Sequence, residues 1–321
     1  VNEIPFQLLP GPEPLVSWLH TDGARYTEPY FDESLHRLKS RPENQPDRRR
    51  ITPLETLATC EGREPDAIIF HISRCGSTLL AQMLAALPHH TVLAEPPLVD
   101  AIIRLPRTAP RTTDDQRLAW LRGAVAALAR PHAARARRLF VKLDCWHLFD
   151  WPLVRRAFPR TPLLFVHRNP VEVLASLLSR PSLTLVRDTV LPEQIGLTRA
   201  ERDALTPTEH AAVIVGAFFR LATEAASELH PVAYEQMPDL VLHALPGVEF
   251  DSTERAVLIE ASRRDAKNPA RPFAPDAERK RREAGPAVWA AAERWALPRY
   301  HQFLATAARE RRPIVTPATS D

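Results

Sequence analysis

Arg74, Ser77 and Thr78 gather a guanidinium and two hydroxyls around Gly76 in the short run Ser73-Arg74-Cys75-Gly76-Ser77-Thr78-Leu79. The apolar stretch Ala67 to Ile72 precedes this run, and Leu79, Leu80, Met83, Leu84 and Leu87 follow it at helical spacing, so it reads as a turn between a strand and a helix N-terminus. Backbone amides at such a turn, joined by an arginine fork and hydroxyls, form a site for phosphate or sulfate. A nucleoside-triphosphate loop carries Gly-x-x-x-x-Gly-Lys-[Ser/Thr], with lysine on the β and γ phosphates and the hydroxyl on magnesium. Here serine follows the glycine directly and the cation precedes it, so the loop is expected to hold an anionic nucleotide without magnesium. Cys75 stands at the helix start, where a thiol pKa is lowered.

Further residues could act on a bound anion. Arg168 leaves the apolar run Pro162 to His167, and Pro170 suits the first turn of the next helix. Val171, Leu174, Ala175 and Leu178 form a core-facing stripe that leaves Ser176 outside it. An arginine fork and a hydroxyl can grip a terminal phosphate that ATP does not possess; a buried structural arginine beside a solvated serine is the alternative. Glu95, in Val92-Leu93-Ala94-Glu95-Pro96-Pro97, stands in a turn that the prolines should hold stiffly, where a carboxylate can cap the following helix or pair with an arginine. Lys142 ends Phe140-Val141-Lys142 in a chain whose lysines are only Lys39, Lys142, Lys267 and Lys280; a strand-end lysine reaching solvent is the alternative. His71 and His167 lie within apolar runs and read as core histidines, while His147 falls on a predicted helix. None has zinc-ligand spacing, and no metal is expected.

The elements that must position these groups are short. Ala67 to Ile72, Thr91 to Ala94, Leu139 to Lys142, Pro162 to His167 and Pro231 to Tyr234 read as buried strands, with helical patterns between them. Alternation of this kind predicts a largely parallel sheet wrapped by helices, with ligands beyond the carboxyl ends of the strands. Arg74, Glu95, Lys142 and Arg168 each end or follow a strand, so they are predicted to converge on one crevice.

These motifs resemble those of the sulfotransferases that use 3'-phosphoadenosine-5'-phosphosulfate (PAPS). The loop at Arg74 is similar to the family's basic-small-Gly-[Ser/Thr]-[Ser/Thr] turn. Arg168-Asn169-Pro170 with Ser176 is similar to its 3'-phosphate motif, and Tyr234-Glu235-Gln236-Met237 to its Tyr-Glu-Asp/Gln-Leu segment. The resemblance implies an α/β, P-loop-like three-layer fold with a mostly parallel central sheet flanked by helices. It implies in-line transfer of a sulfuryl group from PAPS to an acceptor hydroxyl, without a metal. Arg74, Cys75, Gly76, Ser77, Thr78, Leu79, Arg168, Ser176 and Tyr234 would bind the nucleotide, although Tyr234 also suits plain packing, and Lys280 would close over the phosphates. The position of Glu95 is similar to that of the base in the tyrosylprotein and carbohydrate branch, some cytosolic members use a histidine base, and Lys142 resembles a lysine that assists at the sulfate. The Gly-rich Asp-Trp-Lys segment of cytosolic members is missing; Lys267-Asn268-Pro269 and Ala277 to Arg282 offer basic residues instead. A P-loop kinase or nucleotide-binding ATPase, and a catalytically silent nucleotide-binding protein of the same fold, are the alternatives.

The chain has 321 residues, enough for one α/β unit with additions. Residues 1–65, rich in proline, aromatics and charge, read as an N-terminal extension or cap with one amphipathic helix near Phe31 to Leu38. Residues 66–310 read as the sulfotransferase-like P-loop domain, and residues 311–321 as a flexible tail. Ser182 to Leu205 is expected to be a mobile acceptor-side loop, Thr206-Pro207-Thr208-Glu209 a capping box that starts a long helix, and the terminal helix to end near Tyr300. Arginine supplies nearly all the positive charge, which fits genomic base composition and a bacterial type. A net charge of +3 is a weak pull on any polyanion, so no nucleic-acid partner is expected. No apolar run approaches the roughly 20 residues that span a bilayer, and Cys60, Cys75 and Cys145 are an odd, scattered set. A cytoplasmic protein is expected, with a nucleotide co-substrate and a hydroxylated acceptor whose identity, like a homo-oligomeric state, is left open.

Overall fold

The computed structural model describes residues 3–310 apart from residues 24 and 275. Its centre is a sheet of five parallel strands, each ending at the same edge. Chain order begins elsewhere, with β1 (Glu3–Leu9) and β2 (Leu15–His20) paired antiparallel, then α1 (Phe31–Lys39) and β3 (Ile51–Pro53), which pairs with β2. The helix falls where the amphipathic pattern placed it and buries Phe31, Leu35 and Leu38. The strand pair was not foreseen. Residues 4–6 and 16–19 are buried in succession, so both faces are covered and the alternation that marks a half-exposed strand is lost.

The central strands are β4 (Ala67–His71), β5 (His90–Ala94), β6 (Arg138–Lys142), β7 (Leu163–His167) and β8 (Leu229–Ala233), in the order β5-β6-β4-β7-β8. Every pair is parallel. Each predicted strand is present within two residues of its expected bounds, because β4, β5 and β7 are buried at every position and therefore appear as unbroken apolar runs.

Helices supply the crossovers and flank the sheet: α2 (Ser77–Ala86), α3 (Pro97–Ile103), α4 (Asp114–Ala129), α5 (Trp151–Ala157), α6 (Pro170–Ser179), α7 (Arg199–Asp203) and α8 (Pro207–Glu224). Pro170 and Pro207 occupy first-turn positions, and Thr206 Oγ1 accepts the Glu209 amide at 3.2 Å as the capping box requires. The segment from Ser182 to Leu205 is built of helical turns at Leu183–Leu185 and Pro192–Ile195 and of α7, whose N-cap is Thr198, so it has more regular structure than the expected loop. Beyond β8 come α9 (Asp239–Ala244), α10 (Ser252–Ser262), the small pair β9 (Arg264–Asp265) and β10 (Asn268–Pro272), α11 (Ala277–Glu283), α12 (Pro286–Ala291) and α13 (Leu297–Glu310). The terminal helix runs past the expected end at Tyr300 because Phe303 and Ala307 are buried. The Phe303 ring lies 5.3 Å from that of Phe165 on β7, and Tyr300 packs 4.9 Å from Phe219 of α8. The predicted tail, residues 311–321, lies outside the described residues. Among the described residues no helix is long and apolar enough to cross a membrane.

The segment before residue 65 is seated on α4. Tyr26 donates its hydroxyl to the Leu128 carbonyl at 3.1 Å, and the turn Leu54–Thr59 presses on Gly123, where an added Cβ would stand 1.7 Å from the Leu57 carbonyl oxygen. That contact is with backbone, which cannot rotate away. Gly123→Ala is therefore expected to destabilise the protein by about 1–3 kcal/mol, read as a lower urea midpoint at unchanged slope. Gly11→Ala, whose new Cβ would meet the Glu13 carbonyl at an ordinary 3.7 Å, serves as the control. An unchanged midpoint for Gly123→Ala would mean that the turn is not seated there.

Candidate active site

Where β4 ends, the chain reverses through two left-handed residues, Arg74 at φ +63° and Gly76 at φ +90°, before Ser77 opens α2. Arginine in that region is strained, and such strain clusters at ligand sites. Gly76 is required twice over, since a Cβ would also stand 2.4 Å from Tyr234 Cδ2. The Arg74 side chain donates through Nη2 to the Arg180 carbonyl beyond α6, and its buried Nε has no partner among the described residues. Ser77 and Thr78 are buried at the first turn of α2.

Above the carboxyl ends of the strands lies a cleft of about 1450 Å³. All six loop residues from Arg74 to Leu79 line it, and so do Glu95, Arg168, Ser176, Tyr234 and Lys280. Two sequence expectations need correcting. Lys142 does not reach the cleft wall, being fully buried beneath Glu95. Cys75 is also fully buried, and burial pushes its thiol up to about 11 despite the adjoining helix start, so it is not an acidic thiol.

At one end of the cleft Glu95 and Lys142 form an ion pair between adjacent strands, Lys142 Nζ to Glu95 Oε1. The Glu95 amide donates to the Lys142 carbonyl at 2.7 Å, and Glu95 itself is left-handed at φ +59°. Burial opposes ionisation of Glu95, but Lys142, together with His71 Nε2 at 3.4 Å from the same oxygen, outweighs it and brings the carboxyl down to about 2. His71 is otherwise a core histidine as predicted, with its ring nitrogens 2.9 Å from the Ile72 and Leu143 carbonyls.

Beside this pair sits a group that sequence reasoning missed. Asp144, Asp100 and Trp146 line the cleft, and His147 lies buried behind them in the 3-10 turn Cys145–Asp150. The Asp144 amide lies 3.2 Å from His147 Nδ1, His147 Nε2 lies 2.8 Å from Asp100 Oδ1, and Trp146 Nε1 donates to the same oxygen at 2.7 Å; although burial opposes the charged ring, Asp100 and Asp144 raise the His147 pKa above its ordinary value. Asp100 and His147 are too far apart in sequence for any spacing rule to join them.

At the other end, Arg168 leaves β7 and lays its guanidinium 4.0 Å from the Tyr234 ring centroid, while Nε donates to Glu172 Oε2 at 2.6 Å and Nη2 to Asp276 Oδ1 at 2.8 Å. Glu172, fully buried, also accepts from Arg281 Nε at 2.6 Å, and Lys280 Nζ lies 2.8 Å from Asp276 Oδ2. Of these partners only Glu172 is near Arg168 in sequence, four residues on in the first turn of α6.

No curated protein sequence matches the chain. Among solved structures, a sulfotransferase from Alicyclobacillus acidocaldarius aligns at 16% identity and a TM-score of 0.43, covering 78% of this chain and all of the other. The sulfotransferase domain of the Synechococcus PCC 7002 olefin synthase aligns at 16% identity and 0.41, over 78% of this chain and 96% of the domain. A sulfotransferase from Mycobacterium avium aligns at 14% identity and 0.36, over 78% of each. A sequence profile described as "Sulfotransferase family" matches residues 65–245. That match takes in more than half of the chain, including the Arg74 loop, Glu95, Lys142, Arg168 and Tyr234, and the chain therefore belongs to the sulfotransferase family.

Proposed function

We propose that the protein transfers a sulfuryl group from PAPS to an acceptor hydroxyl by in-line displacement. The observation that carries this reading is the pair of anion sites on one cleft, at the ends of the adjacent strands β4 and β7. The Arg74–Leu79 turn offers backbone amides, two hydroxyls and a guanidinium to the phosphosulfate end, while Arg168, Ser176 and Lys280 suit the 3'-phosphate, with the Tyr234 ring between the two sites. Loss of a sulfuryl group puts charge on the departing 5'-phosphate, and fixed donors aimed there lower the barrier without reorganising. Arg74 serves this role as a permanent cation, since its pKa is too high for proton donation. Lys142, sealed beneath Glu95, adds positive field at the reacting end. Glu95 enters the reading as an ionised carboxylate bound to Lys142, so as a base it would have to give up that contact.

Calorimetric titration with 3'-phosphoadenosine-5'-phosphate, and separately with ATP and magnesium, tests the donor assignment. Micromolar binding of the 3'-phosphorylated nucleotide is expected, weakened about tenfold or more by Arg168→Ala through loss of charge-assisted hydrogen bonds. Preference for ATP with magnesium would replace the reading by a P-loop kinase or ATPase, and tight nucleotide binding without PAPS turnover would mark a silent binding protein.

Asp276 supplies a second test. Its carboxylate already holds Arg168 and Lys280, the cations proposed for the 3'-phosphate; although burial opposes its ionisation, these two contacts lower its pKa. A dianionic phosphate must displace it. Asp276→Asn is expected to tighten binding of 3'-phosphoadenosine-5'-phosphate by roughly tenfold, and an unchanged dissociation constant would place the 3'-phosphate elsewhere.

A further inference from the structure

Glu95, Asp144 and Asp100 all line the reacting end of the cleft, and they differ in what holds them. Glu95 is neutralised by the buried Lys142 ammonium, with His71 on the same oxygen. Asp144 follows Lys142 by two residues at the mouth of β6, with its side chain 13% exposed. Among the described residues no arginine or lysine nitrogen lies within ion-pair distance of Asp144. Its nearest cationic candidate, His147 Nδ1, is 3.9 Å away and lies closer, at 3.2 Å, to the Asp144 amide. His147 is held in turn by Asp100 of α3. Asp144 is thus a carboxylate at the cleft wall with no arginine or lysine ion-pair partner among the described residues, on a turn held by the histidine behind it.

We propose that Asp144 is the general base of the transfer reaction, an assignment that rests on the sulfuryl-transfer reading above. A lone pair of the acceptor oxygen forms the new O–S bond. The bond between sulfur and the bridging oxygen breaks, its electron pair leaving with the 5'-phosphate, and the acceptor proton passes to an Asp144 carboxylate oxygen and thence to water. The groups that face Asp144 are Glu95 beyond β5, Asp100 of α3, Lys142 of β6 and His147 of the following turn, with His71 of β4 behind Glu95. Burial and the repulsion of Glu95 and Asp100 outweigh the pull of His147 and Lys142 and push the Asp144 carboxyl up to about 7, where a base is most effective at neutral pH. Glu95, near 2, is a far weaker base in the same field.

The test uses the whole chain with PAPS, and with phenol and pentafluorophenol in place of the natural acceptor. Pentafluorophenol is already ionised at neutral pH and needs no base. The wild-type rate with phenol is expected to rise as pH passes through about 7, and Asp144→Asn to abolish that rise and lower the rate about 100-fold or more. Pentafluorophenol should lose less than about tenfold in the same variant, a contrast that general misfolding does not produce. Asp144→Glu should restore the pH-dependent limb. Nuclear magnetic resonance titration of 13C-labelled aspartate carboxyls, with the Asp144 signal assigned by its loss in Asp144→Asn, supplies a readout that needs no turnover, and an inflection near 7 is expected. A carboxyl that titrates in the ordinary aspartate range overturns the proposal. So does an Asp144→Asn variant that keeps the wild-type limb while Glu95→Gln loses it, which would return the base role to Glu95. Failure of the wild type to bind 3'-phosphoadenosine-5'-phosphate would instead remove the parent reading and this assignment with it.

Discussion

A lysine with no exposed surface needs a counter-ion, and Glu95 is that counter-ion. Removing one member of a buried ion pair costs about 3–5 kcal/mol, because the other charge is left unsolvated. The pairing is built into the sheet: Ala94 and Lys142 are register partners on β5 and β6, and the Glu95 amide continues the ladder to the Lys142 carbonyl. The chain then turns left-handed at Glu95. His71, from β4 on the other side of β6, touches the same carboxylate. Three neighbouring strands thus converge on one charge, and this convergence explains why the carboxylate stays ionised where burial alone would protonate it. It also sets the field felt by Asp144 beside it.

The other end of the cleft depends on a different contact. Gly76 lets the Tyr234 ring approach the backbone of the loop, and the other arm of that ring's contacts is the Arg168 guanidinium. One aromatic ring thereby ties the loop after β4 to the arginine after β7. Arg168 cannot wander, since the fully buried Glu172 holds its Nε and Asp276 its Nη2. The fork is thus fixed in direction, with its Asp276 contact on the more exposed side.

The sheet was legible because its strands are buried on both faces and short, so that apolar runs such as Ile68-Ile69-Phe70 and Leu164-Phe165-Val166 stand out between polar turns. Arg74, Glu95 and Arg168 could be placed at the cleft for the same reason, since each follows such a run. Helix starts at Pro170 and Thr206 could be read from capping chemistry. What escaped was set by contacts distant in sequence. Nothing local reveals that Asp100 meets His147, that Asp276 meets Arg168, or that Cys75 is sealed from water and loses the acidity its helix start would otherwise confer. The paired strands β1 and β2 escaped because burial on both faces, with Pro5 inside the first of them, erased their alternation.

Family membership rests on residues 65–245, yet the cleft is not confined to them. Tyr30, Asp32 and Glu33 line it from the start of α1, and Lys267, Arg271, Asp276, Arg279 and Lys280 from the segment after α10. Tyr30 is the clearest case, with its ring centroid 5.4 Å from both Lys142 Nζ and Lys267 Nζ. Such contacts between an ammonium and an aromatic face contribute roughly 0.5–2 kcal/mol, enough to bias where the N-terminal segment rests over the buried ion pair. The strand ends that supply charge thus lie within the matched residues, whereas part of the cleft wall comes from segments outside them. Chemistry carries over from the fold further than substrate does, and acceptor choice has to be sought in the residues around Tyr30 and Lys267.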